Sequence, residues 1–183
     1  MNFCSHCGHR VAHRVPPGDH LPRFICDNCG TIHYQNPRVV VGCVIEHDNR
    51  ILLCKRAIEP RLGYWTLPAG FMENGESLQQ GAARESQEEA MADVEIGSLL
   101  ALVSILGAHQ VHVFFRGTLR TPTFGAGPES LEVKLVTPDE IPWDDIAFPS
   151  STFTLRKFLE DRAAGREDHH VAVLERGRPL GSS

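Results

Sequence analysis

A cluster of carboxylates on one predicted helix is the feature of this sequence most able to do chemistry. Glu85, Glu88 and Glu89 lie in a proline-free stretch that Ser77 can cap at its N-terminus. Residues spaced i, i+3 and i+4 share one helix face, so the three carboxylates point the same way and repel. A hard divalent cation would compensate, and Mg²⁺ suits carboxylates combined with substrate phosphates. A solvated helix face, with Arg84 paired to Glu88, is the alternative interpretation.

The residues before the helix favour the metal-binding interpretation. An apolar run broken by proline and glycine, Trp65–Phe71, leads into a turn at residues 73–76, so a loop is delivered onto the helix start. The order Gly70, five residues, Glu76, seven residues, Arg84-Glu85, two residues, Glu88-Glu89 resembles the signature box of Nudix hydrolases.

The resemblance implies an α/β/α sandwich with a mixed sheet, and Mg²⁺- or Mn²⁺-dependent cleavage of a nucleoside diphosphate linked to another moiety. By similarity, Glu85, Glu88 and Glu89 would be catalytic metal ligands, and Gly70 could offer a backbone carbonyl. Glu76 and Arg84 would brace the loop and the helix. The chain departs from the family pattern at two positions, Ser86 in place of an aliphatic residue and Met91 in place of a helix-ending glycine.

Four cysteines near the N-terminus predict a second metal site. Cys4-Ser-His-Cys7-Gly and Cys26-Asp-Asn-Cys29-Gly are two knuckles separated by eighteen residues. Four thiolates at this spacing suit a closed, tetrahedral structural zinc site, as in a zinc ribbon. Disulfides are the alternative, and they are disfavoured because no secretory segment is visible. We interpret the nearby histidines, His33 among them, as surface residues.

Length and composition fit two parts. The 183 residues leave room for a zinc ribbon at 1–35, a Nudix hydrolase domain at 36–164 and a polar, flexible tail at 165–183. The hydrophobic fraction of 42% supports a packed core. We expect a cytoplasmic protein with no membrane association, because no long apolar stretch or targeting peptide is visible. The net charge of −5 disfavours nucleic acid as a partner. We also expect a homodimer.

Further elements follow from the residue pattern. Runs at 39–46 and 51–56 around a two-residue turn predict a hairpin that places Cys43 opposite Cys54. A redox switch between these thiols is one interpretation, and inert buried cysteines are the other. Strands are predicted at 94–104, 110–119 and 131–136, and a helix at 150–163.

Two further groups could complete the active site. Glu132, with Glu129 as the alternative, follows a Pro/Gly-rich loop; in related enzymes a glutamate in such a loop binds an extra metal or serves as general base. Arg56 or Lys55 could clamp a substrate phosphate, although solvated charges at a strand end are the alternative. Four aromatic residues are candidates for base stacking or for the core: Trp65, Phe71, Phe114 and Phe148.

The substrate is the harder question, because two groups of Nudix hydrolases carry such a ribbon. NADH pyrophosphatases, which also act on NAD-capped RNA, have a Ser-Gln-Pro-Trp-Pro-Phe-Pro-like stretch where this chain has Ser104–Gln110. Hydrolases of ADP-ribose and FAD resemble the chain over nearly its whole length. We therefore favour ADP-ribose or FAD, with release of AMP. The alternatives are an NADH or NAD(-capped RNA) pyrophosphatase and a catalytically silent binding protein.

Overall fold

The computed structural model describes residues 1–175 and the backbone of Arg178 and Pro179. It divides the chain into two compact units, Met1–Pro37 and Arg38–Ser183. The division lies two residues after the boundary that the sequence predicts. None of the helices in the described residues is long and apolar enough to cross a membrane.

The N-terminal unit is a small antiparallel sheet with the four cysteines at its turns. Its strands are β1 (Val11–Arg14), β2 (Arg23–Cys26) and β3 (Ile32–His33), in that order. The glycine after each knuckle has a left-handed backbone, with φ of 77° at Gly8 and 72° at Gly30. Each donates its N–H to the carbonyl of the first cysteine of its knuckle, over 2.9 Å to Cys4 and 2.8 Å to Cys26. Glycine reaches this conformation at no steric cost, which explains its place in both motifs.

The four sulfur atoms converge as a tetrahedral metal site requires. Their ligand atoms all lie within 4.8 Å of one another. The Sγ atoms of Cys4 and Cys29 are 3.7 Å apart, and those of Cys7 and Cys26 are 3.4 Å apart. Four Zn–S bonds of about 2.3 Å in a tetrahedron require S–S separations of about 3.8 Å. His33 contributes a contact that the sequence interpretation missed, because its Nε2 lies 3.3 Å from Cys4 Sγ.

The C-terminal unit contains one mixed sheet and two helices. In chain order its elements are β4 (Arg38–His47), β5 (Arg50–Arg56), β6 (Trp65–Thr66), β7 (Ala69–Phe71), α1 (Leu78–Ala90), β8 (Val94–Ile105), β9 (Gln110–Leu119), β10 (Ser130–Val136), α2 (Pro149–Ala164), β11 (His170–Glu175) and β12 (Arg178–Pro179). Short 3-10 turns lie at Leu106–Ala108, Pro138–Glu140 and Trp143–Asp145. The sheet order is β10-β5-β4-β9-β8-β11-β12, with β6 on β5 and β7 on β4.

The sheet is mixed and has a hydrophobic core on each face. β4 pairs with β9, and β8 with β11, in parallel, while the other pairs are antiparallel. Alternate residues along β9 face opposite sides. Phe114 packs in the core that includes Leu155 and Phe158 of α2, and Phe115 in the core that includes Ala82 and Ala90 of α1. The predicted α/β/α sandwich is thereby confirmed.

Helix α1 has a defined start and end. Ser77 and Gln80 form a reciprocal capping box, with bonds of 3.2 Å and 2.8 Å. At the other end Met91 is left-handed, with φ 49°, and donates its N–H to the Gln87 carbonyl. A glycine would take this conformation without the cost of about 1 kcal/mol that a side chain carries. The helix nevertheless ends where the family pattern predicts. The hydroxyl of the buried Ser86 donates to the Ala82 carbonyl over 2.7 Å.

The predicted flexible tail is wrong for residues 170–175, which form β11 beside β8. The buried carboxylate of Asp161, in α2, anchors this segment. It accepts from Arg116 on β9, from the Asp168 backbone N–H over 3.2 Å and contacts His170 Nε2 at 3.0 Å. Residues 176–177 and 180–183 of the predicted tail lie outside the described residues.

The predicted hairpin forms, but the expected pairing of two cysteines is wrong. Pairing between β4 and β5 covers Glu46 with Ile51 and His47 with Arg50, and Cys54 pairs with Thr66 of β6. Burial raises the pKa of Cys43 to about 12 and that of Cys54 well above its usual value. Both thiols are therefore held protonated, which favours the interpretation as inert core residues.

The ribbon geometry generates a prediction for Cys26→Ser. Cys26 is fully buried, and a hydroxyl is a poor zinc ligand, so we expect the variant to lose its zinc and the N-terminal unit to unfold. Metal analysis of purified protein should fall from about one zinc per chain to background. Cys54→Ser is the matched control, since it removes a buried thiol outside the cluster. Unchanged zinc content in Cys26→Ser would refute a zinc site here.

Candidate active site

A cleft of about 510 Å³ opens in the C-terminal unit where α1, the strand ends and the start of α2 meet. Its polar lining includes six carboxylates, two guanidinium groups and a cluster of neutral polar side chains. These are Glu59, Glu73, Glu85, Glu88, Glu89, Glu129, Arg56, Arg84, Thr66, Gln110, His112, Ser150 and Ser151. The predicted helix glutamates therefore share one cleft with Arg56.

Arg84 joins the helix to the loop before it. Its guanidinium donates from Nε and Nη2 to the two carboxylate oxygens of Glu76, over 3.1 Å and 2.9 Å. Nη2 also donates to the carbonyl of Phe71 over 3.0 Å. The Arg84 guanidinium lowers the pKa of Glu76, so this pair stays ionised. The bracing role expected of Glu76 and Arg84 matches these contacts.

The same guanidinium also contacts the candidate metal ligands. Arg84 Nη1 donates to Glu85 Oε1 over 2.7 Å and to Glu88 Oε2 over 2.9 Å. It thereby supplies the cation that repulsion between neighbouring carboxylates requires. Glu88 is the most exposed member of the set, with 56% of its side chain accessible.

The other two helix glutamates are buried and electrostatically strained. Glu85 and Glu89 are 8% and 5% exposed. Burial raises the pKa of Glu89 to about 8, against a stabilising hydrogen bond of 3.0 Å from the Ala69 N–H. Burial also raises the pKa of Glu85. Like charges nearby, including Glu129, contribute to both shifts, so the site favours a positive ligand.

The donor set fits a hydrated divalent cation. Carboxylate oxygens are hard ligands of the kind that Mg²⁺ and Mn²⁺ accept, and Mg²⁺ keeps several waters. A Cβ at Gly70 would collide with the Glu85 carboxylate, so any other residue at this position would displace these oxygens. Among the described residues, only the four cysteines bring three or more ligand atoms within 4.8 Å of one another. The helix glutamate oxygens are thus not gathered as closely as the cysteine sulfurs.

A glycine-rich loop brings Glu129 to the cleft. The N–H groups of Gly125 and Gly127 donate to the carbonyls of Ala90 and Glu89 at the end of α1, over 2.8 Å and 3.1 Å. A side chain at Gly127 would collide with the helix backbone. Two residues on, the carbonyl of Glu129 accepts from the Ala57 N–H over 2.8 Å. The loop is therefore held by α1 before Glu129 and by Ala57 at Glu129 itself.

Glu132, the distal glutamate that the sequence favours as a catalytic residue, does not line the cleft. Glu129 lines the cleft, whereas Glu132 does not. Glu132 is an exposed residue of β10, paired with Lys55 of β5. A register irregularity between Ser130 and Glu132 accompanies the start of this strand. The alternative that the sequence left open, Glu129, is the carboxylate that reaches the site.

Of the two candidate phosphate-binding residues, only Arg56 lines the cleft. Arg56 lines the cleft and is 9% exposed, with its Nε donating to the Pro60 carbonyl over 2.8 Å. Its guanidinium carbon lies 5.1 Å from the ring centre of Phe148. Lys55 does not line the cleft, and its Nζ lies 5.7 Å from the ring centre of Trp65. Of the aromatic candidates, Phe71, Phe114 and Phe148 line the cleft and Trp65 does not.

One wall of the cleft, formed by Gln110, His112 and Ser150, was not predicted from the sequence. His112 contacts Ser150 Oγ through Nδ1 at 3.0 Å and Gln110 Oε1 through Nε2 at 2.9 Å. Ser150 begins a helix far along the chain from β9, so no local spacing connects it to His112. The signal available was the placement of two polar residues on the alternating face of β9 that also carries Phe114.

Two family models together match most of the chain. The NUDIX domain matches residues 36–160, and a zinc-ribbon family described as Nudix N-terminal matches residues 2–35. A solved structure, a NUDIX hydrolase from Nitrosomonas europaea, is 53% identical with a TM-score of 0.94. That similarity covers 96% of this chain and 100% of the other.

Two named relatives are similar over shorter regions. An ADP-ribose pyrophosphatase of Methanocaldococcus jannaschii is 42% identical over 71 residues, which are 39% of this chain and 42% of the relative. A NAD-capped RNA hydrolase, NudC of Vibrio atlanticus, is 36% identical over 98 residues, which are 51% of this chain and 33% of the relative. The chain thus matches less than half the length of either relative. The two domain matches nevertheless agree with the fold and the cleft, and the chain belongs to the Nudix family as a hydrolase with an N-terminal zinc ribbon.

Proposed function

We propose that this enzyme hydrolyses the pyrophosphate bond of ADP-ribose or FAD and releases AMP. The observation that carries the proposal is the convergence of the three helix glutamates, Glu129 and Arg56 in one cleft. A diphosphate needs its negative charge neutralised before a nucleophile can approach, and bound Mg²⁺ or Mn²⁺ would supply that neutralisation and activate water. Glu85, Glu88 and Glu89 would hold the metal, and the Gly70 carbonyl is a further candidate ligand.

The remaining residues supply binding and proton transfer. Of the three guanidinium nitrogens of Arg56, only Nε has a hydrogen-bond partner among the described residues, so Nη1 and Nη2 can donate to a substrate phosphate. Glu129 is exposed at the cleft and is our candidate for accepting the proton of the attacking water. The loop contacts with α1 and Ala57 keep this carboxylate beside the helix glutamates.

The substrate proposal rests on the sequence of one cleft segment. Residues 104–110 form the end of β8, a 3-10 turn and the first residue of β9, and Gln110 lines the cleft. This segment lacks the stretch that marks NADH pyrophosphatases, which supports ADP-ribose or FAD. Similarity to a NAD-capped RNA hydrolase favours NADH or NAD-linked substrates as the second candidate. A silent binding protein is disfavoured because all three helix glutamates are present.

A substrate screen tests the proposal directly. We expect AMP from ADP-ribose or FAD when Mg²⁺ or Mn²⁺ is added, and none when the divalent metal is left out. NADH, NAD and diadenosine polyphosphates serve as competing substrates, and products are separated by chromatography. A higher kcat/KM for NADH than for ADP-ribose and FAD would move the enzyme to the second candidate group.

Glu89→Gln should raise the stability of the metal-free protein at high pH and abolish its activity. The folded protein keeps a proton on Glu89 up to about pH 8, whereas the unfolded chain releases it near 4.5. The unfolded state therefore binds fewer protons between these values, and without metal the free energy of unfolding falls as pH rises through this window. The amide removes the contribution of Glu89 to this pH dependence, so we expect roughly 2–4 kcal/mol more stability at pH 8.5 by urea unfolding without divalent metal.

Turnover should be lost in the same variant, with zinc content unchanged. Glu132→Gln is the matched control for stability, because it makes the same chemical change at an exposed residue that does not line the cleft. Wild-type activity in Glu89→Gln would refute the assigned role of the helix.

Paired variants distinguish the two distal glutamates. We expect Glu129→Gln to lower kcat by about 10²- to 10⁴-fold, the range for loss of a general base. Glu132→Gln makes the same chemical change three residues away and should leave kcat within about 2-fold, because its side chain does not line the cleft. Steady-state assays at saturating substrate and metal measure both. The reverse pattern would restore Glu132 as the proton acceptor.

A further inference from the structure

A chain of three neutral side chains forms one wall of the cleft, and the proposed hydrolysis uses none of them. Ser150 lies at the start of α2, while His112 and Gln110 lie on β9. The imidazole is the middle member, 3.0 Å from Ser150 Oγ and 2.9 Å from Gln110 Oε1. All three side chains line the cleft.

The burial of Ser150 determines which atoms donate in these hydrogen bonds. Ser150 is 2% exposed, and His112 is the only partner of its hydroxyl among residues 1–175. If the imidazole donated to Ser150, the buried hydroxyl hydrogen would have no acceptor, which is costly. The hydroxyl therefore donates to Nδ1, and Nε2–H donates to Gln110 Oε1. The carbonyl oxygen of Gln110 is occupied in this way.

One group of Gln110 remains for a ligand. The amide nitrogen has no hydrogen-bond partner in the part of the chain that the structure describes. Gln110 is half-buried and lines the cleft, so its two N–H donors face space that a substrate can fill. Burial lowers the pKa of His112 to about 4, so the imidazole stays neutral and the chain keeps this orientation near neutral pH.

The wall lies two strands away from the loop that approaches the Glu85 carboxylate. Phe71 of β7 pairs with Val40 of β4, which pairs with His112 of β9. Neighbouring strands are about 4.8 Å apart, so the backbone of His112 lies about 10 Å from that of Phe71. Gly70, next to Phe71, approaches the Glu85 carboxylate. A diphosphate held at the carboxylates would thus extend its nucleoside toward His112 and Gln110.

The surroundings of the wall suit a nucleobase better than a phosphate. Val40 and Phe114 line the cleft beside His112, whose ring centre lies 6.2 Å from that of Phe114 in an edge-on arrangement. Apolar and aromatic side chains accept the flat face of a base, while a neutral amide can bond its edge. The cationic groups that would attract a phosphate, Arg56 and Arg84, belong to other elements of the cleft.

We infer that Gln110, oriented by His112 and Ser150, donates a hydrogen bond to a ring nitrogen of the substrate's nucleobase. Gln110 is then a specificity-determining residue, and His112 is a positioning residue that acts through it. An amide with only donors available selects a base edge that presents an acceptor, as the ring nitrogens of adenine do. This inference rests on the proposed function, because it takes the carboxylates as the site of the diphosphate.

Deaza analogues of ADP-ribose test the inference, since each replaces one adenine ring nitrogen with C–H. With the wild-type enzyme we expect one of the 1-deaza, 3-deaza and 7-deaza analogues to raise KM by about 3- to 10-fold, the worth of one hydrogen bond. The value of kcat should stay the same, because the bond is equally present in ground and transition states. Gln110→Leu should raise KM for ADP-ribose by the same factor and abolish discrimination against that analogue.

His112→Phe distinguishes positioning from a structural role. It keeps a ring but removes both hydrogen bonds, so we expect His112→Phe to have the same KM for ADP-ribose as Gln110→Leu. The double variant should show no further increase in KM. A merely structural role would instead lower kcat on every substrate together with the melting temperature. Gln79→Leu makes the same change as Gln110→Leu on an exposed position of α1 outside the cleft and should behave as wild type.

The possible outcomes distinguish failure of this inference from failure of the proposed hydrolase function. Equal KM values for ADP-ribose and all three analogues in the wild type would overturn the inference while metal-dependent turnover of ADP-ribose stands. Discrimination that persists in Gln110→Leu would also overturn it. Failure of the wild type to hydrolyse ADP-ribose would refute that substrate, and with it this reading of Gln110.

Discussion

The contacts of one guanidinium group hold the active-site cleft together. Arg84 bonds both oxygens of Glu76, the Phe71 carbonyl, and the carboxylates of Glu85 and Glu88. Without a cation at this point, the acidic face of α1 would repel itself and the loop would have no anchor on the helix. The bidentate geometry needs the planar fork of arginine, which a lysine ammonium cannot reproduce. The framework and the candidate metal ligands therefore depend on the same side chain.

The opposite end of α1 is fixed by backbone contacts. Its last carbonyls would lack partners in an isolated helix, and the N–H groups of Gly125 and Gly127 fill that need. This docking is close enough to exclude any side chain at Gly127. It satisfies the helix end and also brings Glu129 to the cleft, where we propose that its carboxylate accepts a proton.

Local patterns determined which features could be predicted from the sequence. The cysteine knuckles, the capped helix and its glutamates have fixed short spacings, and the structure has these elements where the sequence predicts them. The choice between Glu129 and Glu132 depended on how a loop docks onto α1, which no spacing encodes. The strand at 170–175 has four consecutive apolar residues and was missed because it lies within an otherwise polar tail; pairing with β8 and contacts with the buried Asp161 hold it in place. His112 and Ser150 meet only through tertiary packing.

The cleft divides recognition between charge and dipoles. On the side of α1, buried carboxylates with raised pKa values disfavour the metal-free ionised site, so binding energy from a cation and a diphosphate offsets their burial. On the side of β9, a histidine held neutral by burial contributes direction but no charge. A charged group there would attract phosphate and compete with the metal site for it. In the proposed function, a neutral wall directs the diphosphate to the helix carboxylates and Arg56, on the side of the cleft where we propose that Glu129 acts.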